Sequence, residues 1–263
     1  MDGREFRRVG HGAWAVADEE PSYGRRIQGV RERNAPTAVL LGPSAAWAHG
    51  CRLAGAEEPV HLAGGSRRGP DLVRWRAVLR DGDVVDTLMG PATSVTRTVV
   101  DLARGVGTAG LDHLGRVQWI DAFLWATGLP AVEARRAVCR AVGLHGLDRA
   151  RRVLADARDG VHSPKETELR LIIVTNGFPE PRTQCPVILD GRMIARLDLG
   201  WEEYRAGAEY DGAVHRERRQ HSHDLDRHNG IRVARWTVLQ VDARLLGRPV
   251  DLLARLARLV PRL

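Results

Sequence analysis

The chain has 263 residues, 43% hydrophobic and 28% charged, which is ordinary for a globular protein and long enough for one large or two modest domains. Forty basic residues outnumber 33 acidic ones, and the net charge of +7 favours polyanionic partners. No apolar run approaches the roughly 20 residues of a membrane helix, and the first eight residues lack the apolar core of a secretion signal. Cys51, Cys139 and Cys185 are widely spaced and odd in number, so they read as reduced thiols, and a cytoplasmic protein without a membrane partner is expected. Only one basic residue, Lys165, is lysine; the arginines that make up the rest suit bidentate phosphate contacts.

In chain order, residues 6–16 (FRRVGHGAWAV) predict two short strands about a glycine-containing turn, and residues 18–36 read as a polar loop. A helix is expected from Ser44 to Leu53, then strands at 60–63, 72–79 and 84–89, which form a small sheet. Residues 93–104 predict a helix, and 111–157 are helical throughout, with Pro130 opening one of the helices. The stretch DARDGVH (156–162) reads as a linker, which sets boundaries at 1–35, 36–158 and 163–263. The last segment predicts helix 163–176, strands 187–189, 193–201 and 205–210, helix 217–229, strand 233–241 and helix 243–259. The fold class is α/β (α+β): a mixed sheet flanked by helices, with an αβββαβ core after the linker.

Alternation along the predicted strands selects the residues that carry chemistry. Ala195, Leu197, Leu199 and Trp201 are expected on one apolar face, leaving Asp198 on the other; Glu209 and Asp211 share a face of the next strand. If the apolar faces are buried together, Asp198, Glu209 and Asp211 converge, and their mutual repulsion calls for a cation. Mg²⁺ (or Mn²⁺) suits hard oxygen ligands and takes phosphate oxygens as further ligands, so Asp198 and Glu209 are the candidate metal ligands of a phosphodiesterase. Glu166 has two readings: the N3 acid of a capping box that begins at Ser163, or a site residue facing the sheet edge. His215 follows the strand and is either a surface group or a phosphate contact and proton carrier. Arg216, Arg218, Arg219 and Arg227 are either a solvated helix face or contacts to a DNA backbone.

The segments SPKETELRL (163–171), ARLDLGW (195–201), AEYDGAVHR (208–216) and RWTVLQV (235–241) together resemble the very-short-patch-repair-like branch of the PD-(D/E)XK nuclease superfamily, and more closely proteins of unknown function that share its fold. The resemblance implies a restriction-endonuclease-like core and carries over Glu166, Asp198 and Glu209, with Asp211 and His215, as catalytic residues. The superfamily's third motif ends in lysine where this chain has Asp211. Residues 6–16 resemble the wing of a winged helix, and LGPSAAWAHG with PATSVTRTVVDLAR resembles the AbiEi-type antitoxin module that follows such a wing. Two functions are therefore expected in competition. One is a Mg²⁺-dependent DNA endonuclease; the other is a non-catalytic DNA-binding antitoxin or transcriptional regulator, with a cognate toxin as a protein partner.

Overall fold

The structure, a computed structural model, describes residues 6–10, 13–16, 22–65, 69–212 and 221–263, with side chains for 22–65, 69–212 and 227–263. The protein is mixed α/β and divides into two compact units, Met1–Ala157 and Arg158–Leu263. No helix among the described residues is long and apolar enough to cross a membrane.

The first unit opens with an antiparallel pair, β1 (Phe6–Gly10) and β2 (Ala13–Val16). Helix α1 (Tyr23–Glu32) follows, where the sequence reads as loop. Ser22 caps it by accepting the Arg25 N–H at 3.3 Å, and Tyr23, Ile27 and Val30 form a buried stripe at i, i+4 and i+7. Arg25, Arg26, Arg31 and Glu32 surround that thin stripe and hide it from a reading of polarity alone. The Tyr23 hydroxyl donates to the Pro59 carbonyl at 2.8 Å and shares a 2.7 Å hydrogen bond with Ser44, which ties the 1–35 segment to the rest of the unit.

A five-stranded mixed sheet comes next. Strand β3 (Val39–Leu40) leads into α2 (Gly42–Ala48), and β4 (Val60–Ala63), β5 (Leu72–Trp75), β6 (Val84–Thr87) and β7 (Gly90–Thr93) complete the order β5-β4-β3-β7-β6. Strands β3 and β7 escape the sequence reading because one has two residues and the other contains Gly-Pro. Helices α3 (Val95–Arg104), α4 (His113–Thr127), α5 (Ala131–Arg140) and α6 (Leu147–Asp156) close the unit. Asp101 on α3 is fully buried and takes Arg97 on one oxygen (3.1 Å) and Arg104 on the other (2.8 Å).

The second unit runs α7 (Pro164–Thr175), β8 (Arg182–Leu189), β9 (Arg192–Trp201), β10 (Ala206–Tyr210), α8 (His221–Val233) and β11 (Thr237–Val241), an α-β-β-β-α-β order. Two helices end it, α9 (Ala243–Leu246) and α10 (Pro249–Leu256), in place of the single helix expected. Pro249 lacks the amide that would continue a helix, so it opens a new one. The sheet order is β11-β10-β9-β8, with β10–β11 parallel and the other pairs antiparallel.

The apolar residues of β9 do not share one face, contrary to the alternation read from the sequence. Leu199 and Trp201 pack with Leu169 and Ile173 of α7, whereas Ala195 and Leu197 pack with Val187 and with Ile231 of α8. The change of face falls at Asp198. Beside it, the β8–β9 register passes from Thr183↔Leu199 to Cys185↔Leu197, and the intervening Gln184 has φ +48°. A non-glycine residue in that region marks a local irregularity of the strand. Gly207 keeps β10 tight against this point, because a Cβ there would lie 2.5 Å from Leu197 Cδ1.

Removing a carboxylate that balances one buried and one half-buried guanidinium group leaves uncompensated charge. Asp101→Ala is expected to destabilise the first unit by about 3 kcal/mol, measured by urea denaturation; a change within about 0.5 kcal/mol would show that the network contributes little.

Candidate metal centre

Three elements of the second unit bring acids together, each for its own local reason. Glu166 stands at the third helical position of α7, whose Ser163 cap accepts the Glu166 N–H at 3.2 Å. Its carboxylate reaches back past Ser163 and accepts the His162 N–H at 3.0 Å, while Gln184 Nε2 donates to the same oxygen at 3.3 Å. The carboxylate thus holds the amide one residue before the cap instead of the Ser163 amide that a capping box would use, and it stays close enough to Asp198 to act on its charge.

Asp198 sits where β9 and β10 part. Their pairing ends at Ala208↔Leu199, and one further step of the register places Glu209 beside Asp198. There the Asp198 Oδ2 accepts the Tyr210 N–H at 2.9 Å, so a side chain takes the place of a ladder carbonyl. Strand β10 continues with β11 alone, through Glu209↔Gln240 to Tyr210↔Val241. The register accounts for Gln240 as a neighbour of Glu209: its Nε2 donates to Glu209 Oε2 at 2.8 Å. Arg227 of α8 grips the same carboxylate with two N–H groups, and its Nη2 also donates to the Arg196 carbonyl at 3.3 Å.

The electrostatics follow from this crowding. Burial pushes the Asp198 carboxyl up, the Glu166 and Glu209 charges push it further, and the Tyr210 amide and Arg227 oppose them; the net result is a rise from 3.8 to about 7. Glu209 itself is buried and its charge is met by Arg227 and Gln240. Among the described residues no group of three or more His, Cys, Asp and Glu side chains forms a ready metal cage. Two carboxylates nonetheless fit Mg²⁺, which is commonly held by one or two acids and completes its shell with water and substrate phosphate.

The other sequence-selected residues fall elsewhere. Asp211 lies just past β10, its N–H bonded to the Val241 carbonyl at 2.9 Å, and it lines a cleft of about 400 Å³ with Gln240, Asp242, Arg244 and Arg248. The charges acting on Asp198 are those of Glu166, Glu209 and Arg227, not that of Asp211. His215, Arg216, Arg218 and Arg219 lie outside the described residues. Lys165 is half exposed and bonded to Glu168 at 2.8 Å. Sequence reasoning missed Gln184 and Gln240. Neither has a signal of its own, although a polar residue on the strand next to Glu209 is a candidate once the β10–β11 register is known.

These observations define a mixed α/β unit with a compact acidic group where two of its strands part. Two uncharacterized proteins of Mycobacterium tuberculosis, Rv2248 (strain H37Rv) and MT2308 (strain CDC 1551), are each 29% identical to this chain over 173 residues. The match covers 65% of this chain and 62% of each relative, so it spans less than two thirds of the relatives' length. No protein-family model matches the chain, and no solved structure matches it.

Because the Asp198 carboxyl is raised in the folded protein, the folded state holds its proton more tightly than the unfolded chain does. The stability this contributes is fully present below pH ~4 and is lost as pH rises through about 7. Asp198→Asn removes the titration, so its melting temperature should exceed that of the wild type at pH 8 by more than at pH 4. Parallel melting curves for the two proteins across that range would contradict the assignment.

Proposed function

We propose that residues 163–263 form a restriction-endonuclease-like, metal-dependent nuclease domain that hydrolyses DNA phosphodiester bonds, with Mg²⁺ or Mn²⁺ held by Asp198 and Glu209. The observation that carries this reading is the pairing of those two carboxylates, with Glu166 at hand, where β9 and β10 separate. When bound, the cation would acidify a water and offset charge on the phosphate oxygens. The chain's own residues do the rest. Glu166 adds negative potential that makes the Asp198 anion unfavourable alone and favourable beside a cation. Gln240 fixes the Glu209 rotamer through Oε2. Arg227, in the same fork geometry that holds Glu209, can hold a phosphate instead. His215 and Asp211 are placed by sequence on the segment leaving β10, with proton transfer and phosphate contact as their roles; Arg216, Arg218 and Arg219 extend the backbone contacts.

A second reading is favoured by one specific observation: the chain already neutralises Glu209 with its own Arg227, as a protein that never recruits a metal would. In that case the domain is a DNA-binding scaffold, and the 36–158 region serves a regulator of the AbiEi antitoxin type with a toxin as its partner.

Supercoiled plasmid incubated with the protein and Mg²⁺ or Mn²⁺ separates the two. The nuclease reading predicts nicking that Asp198→Ala and Glu209→Ala each reduce by about a hundredfold or more. DNA binding without cleavage in either metal would establish the regulator instead. Arg227→Ala is expected to weaken DNA binding across all sequences and to lower the salt slope by about one, read by fluorescence anisotropy at several salt concentrations. A slope identical to the wild type would remove Arg227 from the DNA contacts.

A further inference from the structure

The first unit contains a cleft that the nuclease reading does not use. It has a volume of about 270 Å³ and lies among α3, α5, the segment after α5 and the turn before β6. Three arginines reach its wall, Arg80, Arg97 and Arg140, against a single carboxylate, Asp83. That carboxylate is already engaged, because its Oδ2 accepts Arg97 Nη1 at 2.6 Å and the Arg80 N–H at 2.9 Å. Arg97 is 6% exposed; its Nε donates to Asp101 and its Nη1 also donates to the Val78 carbonyl at 3.1 Å. Its Nη2 is buried with no hydrogen-bond partner. That nitrogen lies beneath the wall rather than on it, so the groups open to the cleft are those of Arg80 and Arg140. Arg140, the last residue of α5, is exposed and forms no ion pair with any described acid.

The rest of the wall is of the opposite character. Val100 and Ala137 provide an apolar floor, and Val78 and Val142 stand at the cleft largely exposed, at 76% and 58%. Exposed apolar side chains thus stand beside two surface guanidinium groups, Arg80, which donates to the Val142 carbonyl at 3.4 Å, and Arg140; apolar walls with a few convergent polar groups suit a small-molecule site. The volume is just below the usual range for such sites, too small for a drug-sized ligand and too large for a bare ion.

We propose that this cleft binds a small organic anion, with its phosphate or carboxylate on Arg80 and Arg140 and its apolar body against Val78, Val100 and Ala137. The two acid types share one recognition chemistry, bidentate acceptance from guanidinium. The site lies entirely in the first unit and is independent of whether the second unit cleaves DNA.

The test is calorimetric titration of the full chain with phenyl phosphate, benzoate and inorganic phosphate. Saturable one-site binding of at least one organic anion is expected, with inorganic phosphate about tenfold or more weaker. Arg80→Ala and Arg140→Ala, both at surface positions, should each weaken the organic anion about tenfold. Ala141→Trp, which fills the cleft and alters no charge, should abolish binding; melting curves of all three variants report that they fold. Binding that survives Ala141→Trp, or that neither arginine variant weakens, overturns the site. Inorganic phosphate binding as tightly as phenyl phosphate overturns the apolar subsite. Absence of binding by all three probes overturns the small-molecule assignment.

Discussion

A carboxylate in the place of a strand carbonyl governs the second unit. Asp198 accepts the Tyr210 N–H at 2.9 Å where the β9–β10 ladder ends, and this one bond lets β10 leave its antiparallel neighbour without stranding an amide. The acid is consequently held half-buried between Glu166 and Glu209, and its pKa rises to about 7. The sheet supports the arrangement from both sides. The α7 face packs Leu199 and Trp201, the α8 face packs Ala195 and Leu197, and Asp198 occupies the residue between.

Charge is balanced here by a network rather than by one ion pair. Glu209 is met by Arg227 and Gln240, Glu166 by a backbone amide and Gln184, and Asp198 by the Tyr210 amide. Each acid keeps a hydrogen bond, but the group as a whole remains rich in negative potential, as the raised Asp198 shows. Such a group carries a desolvation and repulsion cost, which the proposed cation would offset. The network around Arg97 in the first unit is built the other way: Asp101 and Asp83 are both met by arginines, and Arg97 Nη2 is left without a partner.

Much of this could be read from the sequence, and the failures have physical causes. The order α-β-β-β-α-β and the placing of Asp198 and Glu209 on adjacent strands follow from period-two patterns, which are strong in ARLDLGW and AGAEY. The sharing of one face by Leu197 and Leu199 did not follow, because alternation assumes a regular strand, and Gln184 at φ +48° breaks the regular backbone opposite Asp198 without shifting the register. Arg227 could be picked out as a cation near the site, but whether it faces phosphate or Glu209 depends on how α8 crosses the sheet, which periodicity does not encode. Helix α1 was hidden by the charges flanking its three buried residues. The single C-terminal helix was an error of continuity across Gly247 and Pro249.

The most direct test of the central claim is a titration of the metal-free protein with Mn²⁺, followed by calorimetry at pH 7.5. If Asp198 and Glu209 share a cation, one saturable site is present in the wild type, its binding releases protons, and it is lost in both Asp198→Asn and Glu209→Gln. Equal Mn²⁺ binding by the wild type and both variants, or none by the wild type, would contradict it.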